Sequence, residues 1–305
     1  LPGVIAEVEP QRVYPTSRFA AHLLGYVREA SDEQLRQGRH RRGEMVGQSG
    51  LERLLDEYLR GKDGGERLEV DAMGRSVRFV QQTEPHPGAQ VVTTVDRRIQ
   101  EAAERAMEGH AGAVVVMDPR SGDVLALVST PAFEIDRFTG TIDRSAWLRV
   151  VQDPSFPLLN RTIQSQYAPG SVFKIVVAAA GLQEGTLTPG DRVYCTGEFR
   201  LGPVVFRGWK EGGHGWVDLH QAIVQSCNIF FYEAGLKVGA GTIARYARAF
   251  GFGESTGIEL QGEKYGLIPN PSARRERRSW PAGETVNLSI GQGAVLVTPM
   301  QVARF

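Results

Sequence analysis

Apolar positions along the chain fall into two periods, and the change between them marks the elements. From Ala113 to Val128 two apolar runs flank Pro119-Arg120-Ser121-Gly122, the pattern of a β-hairpin. Val91 to Val95 reads as a strand. From Arg97 onward Ile99, Ala102, Ala103, Ala106 and Met107 share one face of a predicted helix. A second helix is predicted from about Gly241 to Phe250, stopping at Gly251. Between these lies IVVAAAGLQ, which starts at Ile175 and has no polar face, so it reads as a buried helix. Turn formers precede it, in Tyr167-Ala168-Pro169-Gly170. An amphipathic run from Asp218 to Val224 opens with Asp218 and Gln221 spaced as a capping box, and Ile229-Phe230-Phe231-Tyr232 follows it.

The first part of the chain reads differently. It has short strand-like and charged helical stretches, a cap at Ser31-Asp32 and turn material at Lys62-Asp63-Gly64-Gly65. Residues 84–88, EPHPG, form a natural linker. This predicts two domains, 1–88 and 89–305. Composition adds little: 305 residues at 41% hydrophobic content suffice for one or two real cores. Lys+Arg and Asp+Glu are both 35, so nothing points to a nucleic-acid partner. The basic runs at 38–43 and 273–278 read as solvated loops, with anionic membrane or glycan as alternative surroundings. The longest apolar run, Ile175 to Leu182, is too short to span a bilayer.

Chemistry enters with Ser171 and Lys174. They form the one Ser-x-x-Lys of the chain, at the predicted turn-to-helix junction. That spacing places a hydroxyl and an amine one helical turn apart on the same side. A lysine kept neutral by burial or by positive neighbours can take the serine proton and make it a nucleophile. A helix N-terminus favours the oxyanion that follows. Read alone, the pair also fits a capping serine followed by a surface lysine. Ser226-Cys227-Asn228 supplies a second hydroxyl and a carboxamide two residues apart. Ser226 could relay a proton to or from Lys174 while Asn228 orients the lysine or a substrate amide. The same triplet also fits a polar helix break satisfying its own backbone.

Several blocks, in order, carry a resemblance. They include GQSGLERLLDEYLRG at 47–61, TTVDRRIQ at 93–100 and AVVVMDPRSGDVLALVSTP at 113–131. NRTIQSQYAPGSVFK at 160–174, GHGWVDLHQAIVQSCNIFFYEAG at 213–235 and SIGQGAVLVTPMQVA at 289–303 follow. With these the chain resembles the class B penicillin-binding proteins, in particular the penicillin-binding protein 2 group of elongation transpeptidases. The resemblance implies an α+β fold, with a pedestal (dimerisation-type) domain at 1–88. The transpeptidase domain, an antiparallel sheet flanked by helices, would occupy 89–305. It implies a serine acyl-enzyme mechanism with Ser171, Lys174, Ser226 and Asn228, acting on peptidoglycan stem peptides that end in D-Ala-D-Ala and inhibited by β-lactams. No cofactor is required for that chemistry. The implied partners are a membrane glycosyltransferase and a cell-shape scaffold protein. The implied location is the periplasmic face of the inner membrane, through an N-terminal anchor not contained in these residues.

One family motif is missing. No Lys-Ser/Thr-Gly triplet occurs in the 305 residues, so the transpeptidase domain is expected to be C-terminally incomplete. Loss of one oxyanion donor costs about two to three orders of magnitude in turnover. This departure keeps open a non-catalytic scaffold or activator of the glycosyltransferase; a β-lactamase or β-lactam sensor is the other alternative. Cys195, His214 and Cys227 are spaced C-x18-H-x12-C, unlike a compact zinc ribbon, and spacing favours a disulfide or two unrelated thiols. The resemblance adds a third reading, a structural zinc held at these three positions. The fourth ligand position of such relatives matches Gly208, which has no side chain to offer.

Overall fold

The structure, a computed structural model, describes residues 12–38, 40–73, 76–139, 144–271 and 280–305, with only the backbone of residues 66, 68, 70 and 76. The chain packs into two compact units. One is Leu1–Asn160 with Glu259–Gln261, and the other is Arg161–Ile258 with Gly262–Phe305. Helices and strands mix in an α+β arrangement, and among the described residues every strand pair is antiparallel. The basic run at 273–278 lies outside the described residues.

In the first unit the predicted hairpin pairs Gly112–Met117 with Val124–Thr130. The predicted helix spans Arg97–Ala106, and Asp96 caps it by accepting from the amides of Arg98 and Ile99. Its buried face differs from the expected one. Ala102 and Ala106 are exposed, while Gln100 is fully buried. The Gln100 carboxamide accepts from Leu127 N at 2.8 Å and donates to Leu127 O at 3.0 Å, closing the open edge of the hairpin strand. A buried amide costs little when both its ends are paired. Val91–Val95 is not a strand: no ladder partner exists for it among the described residues, and Val92 is exposed. Elsewhere in this unit Tyr26, Phe133, Phe138 and Trp147 meet at tilted and edge-on angles with ring centres 4.6–6.5 Å apart. Ser31 caps the helix Asp32–Arg36 through a full capping box with Gln34.

The second unit is built around the helix Lys174–Gln183, which follows directly on a 3-10 turn, Gly170–Phe173. Phe173, Val176, Val177 and Ala180 are buried against the helices Asn228–Val238 and Ala240–Ala249, whose Phe230, Phe231, Ile243 and Ala247 are also fully covered. Each such large side chain contributes about 1.5–3 kcal/mol relative to exposure. Two ribbons complete the unit: Arg192–Cys195 with Gly215–Asp218, and Glu198–Leu201 with Val204–Arg207. The capping box at Asp218 and Gln221 forms as expected and starts the helix Leu219–Val224.

The SIGQG block anchors the 3-10 turn. Gly291 O accepts from Gly170 N at 2.9 Å, and Gly291 itself has φ +69°. A β-carbon there would lie 2.2 Å from Gly170 O and 2.7 Å from the Phe173 β-carbon, so only glycine fits. Tyr167 and Val297 exchange backbone hydrogen bonds on the approach to the same turn.

Candidate active site

Ser171 stands exposed in the 3-10 turn, and Lys174 opens the helix behind it with 2% of its surface exposed. Ser226 ends the turn after the helix Leu219–Val224, and Asn228 is the first residue of the helix Asn228–Val238. The fold therefore brings all four expected polar residues to one point. Lys174 Nζ lies 3.2 Å from Ser171 Oγ, 2.9 Å from Ser226 Oγ, 2.9 Å from Ser226 O and 2.7 Å from Asn228 Oδ1. The two hydroxyl oxygens are 2.8 Å apart.

Counting protons gives this cluster a direction. Ser226 O and Asn228 Oδ1 can only accept, so each takes one N–H from the amine. A neutral amine then has no proton left, and its lone pair faces the two hydroxyls. Burial favours that state: it pushes the Lys174 amine down from 10.5 to about 8, against a smaller opposing effect of Cys227. The result is a base within reach of Ser171 both directly and through Ser226. Ser226 adopts φ +51°, a left-handed conformation rare for a residue with a β-carbon. Such strained residues persist where the surroundings hold them.

Beside this cluster lie the three predicted metal-type residues. Cys195, His214 and Cys227 each place a ligand atom within 4.8 Å of the others. Pairing of Cys195 with Gly215 in the ribbon brings His214 next to Cys195, with Cys195 Sγ 3.4 Å from His214 Nδ1. Both cysteines are free thiols, so no disulfide joins them. Burial, with Lys210 and Lys174 nearby, holds His214 below its ordinary value. Burial pushes the Cys227 thiol up to about 11. Tetrahedral zinc with sulfur and nitrogen ligands sets ligand atoms about 3.4–3.8 Å apart; the donor set is of the right chemistry, and the Cys195–His214 separation of 3.4 Å falls in that range. His214 Nε2 is buried without a hydrogen-bond partner. Gly208, at the expected fourth position, offers no side chain.

Trp209 was not among the expected site residues. Its indole Nε1 donates to Gln225 O and Ser226 O, both at 3.2 Å, and its ring lies 5.4 Å from that of His214. A tryptophan inside GWKEGGHG carries no sequence signal for this beyond being a large side chain in a glycine-rich loop.

Comparisons with known proteins bear on this geometry. Residues 112–305 match the family model for the penicillin binding protein transpeptidase domain, and residues 1–93 match that for the penicillin-binding protein dimerisation domain. A curated relative, the peptidoglycan D,D-transpeptidase MrdA of Acinetobacter baumannii, is 35% identical over 99% of this chain and 46% of its own length. Among solved structures, the complex of PBP2 and MreC from Helicobacter pylori superposes with a TM-score of 0.87. Its identity is 32%, and the match covers 96% of this chain and 56% of that one. Pseudomonas aeruginosa PBP2 in complex with WCK 5153 gives a TM-score of 0.80 at 35% identity, covering 98% of this chain and 64% of that one. The chain spans about half the length of the curated relatives it matches. The matched models, the relatives and the Ser-x-x-Lys and Ser-x-Asn geometry agree: the chain belongs to the penicillin-binding protein transpeptidase family.

Proposed function

We propose that this chain carries the acyl-transfer centre of a peptidoglycan D,D-transpeptidase of the elongation type. The observation that carries the reading is the buried Lys174 amine held among Ser171, Ser226 and Asn228. Ser171 Oγ attacks the penultimate D-alanine carbonyl of a stem peptide while its proton passes to Lys174, directly or through Ser226. The tetrahedral adduct collapses, the C–N bond breaks, and the departing D-alanine amine takes that proton back. An amine of a neighbouring stem then attacks the ester and gives up its proton by the same route. A cross-link forms and Ser171 is released. A β-lactam offers the same carbonyl in a ring, so its amide opens and the acyl group stays on Ser171.

The reading extends to surroundings by likeness. The two matched regions, 1–93 and 112–305, support a pedestal followed by a transpeptidase domain, and the proposed boundary near residue 88 rests on the linker-like EPHPG at 84–88. Relatives in complex with MreC and in a peptidoglycan synthase complex support a scaffold partner and a polymerising partner. Among the described residues no helix is long and apolar enough to cross a membrane. The proposed location at the periplasmic face of the inner membrane therefore rests on the family alone. The test is to incubate the intact protein with a donor stem peptide ending in D-Ala-D-Ala and an amine acceptor. One D-alanine released per cross-linked product is expected; neither release nor product would overturn the reading.

The chemistry above needs no metal. Cys195, His214 and Cys227 would hold a zinc ion that braces the loop between Ser226 and Asn228 without entering any step. The protein as isolated is then expected to contain about one zinc per chain. Chelation should lower its melting temperature, and Cys195→Ser should lose most of the metal. Metal-free protein with an unchanged melting temperature after chelation would contradict this.

A further inference from the structure

Trp209 has no part in the proton transfers proposed above, yet its polar atom is turned onto the loop that supports them. The side chain is 65% exposed, so it is not core. An exposed tryptophan ordinarily leaves its N–H to water; here Nε1 reaches two backbone carbonyls, Gln225 O and Ser226 O. We infer that Trp209 is a positioning residue for acyl transfer. Its indole N–H fixes the Ser226 carbonyl, and with it the alignment of the Ser226 hydroxyl and Asn228 carboxamide on the Lys174 amine.

Three observations carry this. Ser226 is left-handed at φ +51°, so rotation of its peptide would relieve strain and swing the carbonyl away. Two donors oppose that rotation, Lys174 Nζ at 2.9 Å and Trp209 Nε1 at 3.2 Å. The lysine is an inconstant donor, because its nitrogen has four polar neighbours and gains and loses a proton in each half-reaction. The indole N–H does not titrate and so holds the carbonyl in every protonation state. The loop bearing it is itself pinned. Gly208 N donates to Gly197 O at 2.8 Å, Gly213 N donates to Lys210 O at 3.2 Å, and the indole ring meets His214 edge-on.

The inference rests on the acyl-transfer reading, and its test separates the two. Acylation of the intact protein by a fluorescent penicillin is followed over time at increasing concentration. Parent, Trp209→Phe and Trp209→3-benzothienylalanine are compared; the last keeps the fused ring and replaces N–H by sulfur. Loss of one hydrogen bond of ordinary strength corresponds to about a three- to tenfold slower limiting rate. That loss is expected in both variants, with an unchanged half-saturating concentration and, for the benzothienyl variant, an unchanged melting temperature. A benzothienyl variant as fast as the parent overturns the inference, as does a loss confined to the half-saturating concentration, which would make Trp209 a ligand contact. A parent that is never labelled overturns this inference and the acyl-transfer reading together.

Discussion

Ser171→Ala is expected to abolish both covalent labelling by penicillin and release of D-alanine from a stem peptide, while leaving the protein folded. The hydroxyl is exposed in the 3-10 turn, so its removal leaves no cavity in the core. The turn is held by other groups, the Gly170–Gly291 hydrogen bond and the buried Phe173 among them. Ser226 Oγ loses one partner and keeps Lys174 Nζ. Two hydrogen bonds of the exposed hydroxyl are lost, to Ser226 Oγ and to Lys174 Nζ, so stability should fall by no more than about 2 kcal/mol. Chemistry, in contrast, loses the atom that forms the acyl bond. Measuring label and melting temperature on the same sample checks both halves. Label retained on the variant would move the nucleophile elsewhere. A parent that labels and then sheds the acyl group rapidly to water would favour a β-lactamase-type activity over cross-linking.

Lys174→Met should slow acylation by about a thousandfold, within the range that a general base contributes. The parent rate should itself depend on pH in a direction fixed by burial. Lys174 is held near 8, and only its neutral form accepts the proton. The rate therefore rises about tenfold per pH unit below 8 and levels above it, whereas the methionine variant keeps a low, flat profile. Stability follows a different curve. The folded value lies below the unfolded one, so the unfolded chain holds this proton more tightly and the lysine destabilises the fold at all pH below about 8. That cost, on the order of 3 kcal/mol, fades as pH rises from about 8 to 10.5. Methionine removes it but leaves Asn228 Oδ1 without the amine, and Ser226 O with Trp209 as donor. The two effects offset, and the variant is expected to fold. A parent rate that stays level from pH 6 to 9 would remove Lys174 from the role of base.

Local patterns were legible in the sequence, and contacts between distant segments were mostly not. Ser171 and Lys174 are three residues apart, so helical geometry alone puts them together. The cap at Ser31, the capping box at Asp218 and the hairpin around residue 120 are equally local. The meeting of Lys174 with Ser226 and Asn228 depends on the packing of two helices far apart in the chain, and the family resemblance supplied it. The convergence of Cys195 and His214 depends on a ribbon that the polar–apolar pattern did not reveal. Gln100 was missed because a polar residue was read as facing water, although both ends of its amide are satisfied inside. Val91–Val95 has the composition of a strand, but composition cannot say whether a neighbouring edge exists to pair with it. Trp209 escaped for a related reason, since its role depends on which carbonyls the fold turns toward it.

The most direct measurement is to react the intact protein with a penicillin, cleave it after Arg161 and Lys174, and weigh and fragment the peptide 162–174. That peptide contains two serines, Ser165 and Ser171. One opened β-lactam per chain is expected, carried by Ser171 as an ester. An adduct on Ser165, or none on this peptide of a folded protein, would contradict it.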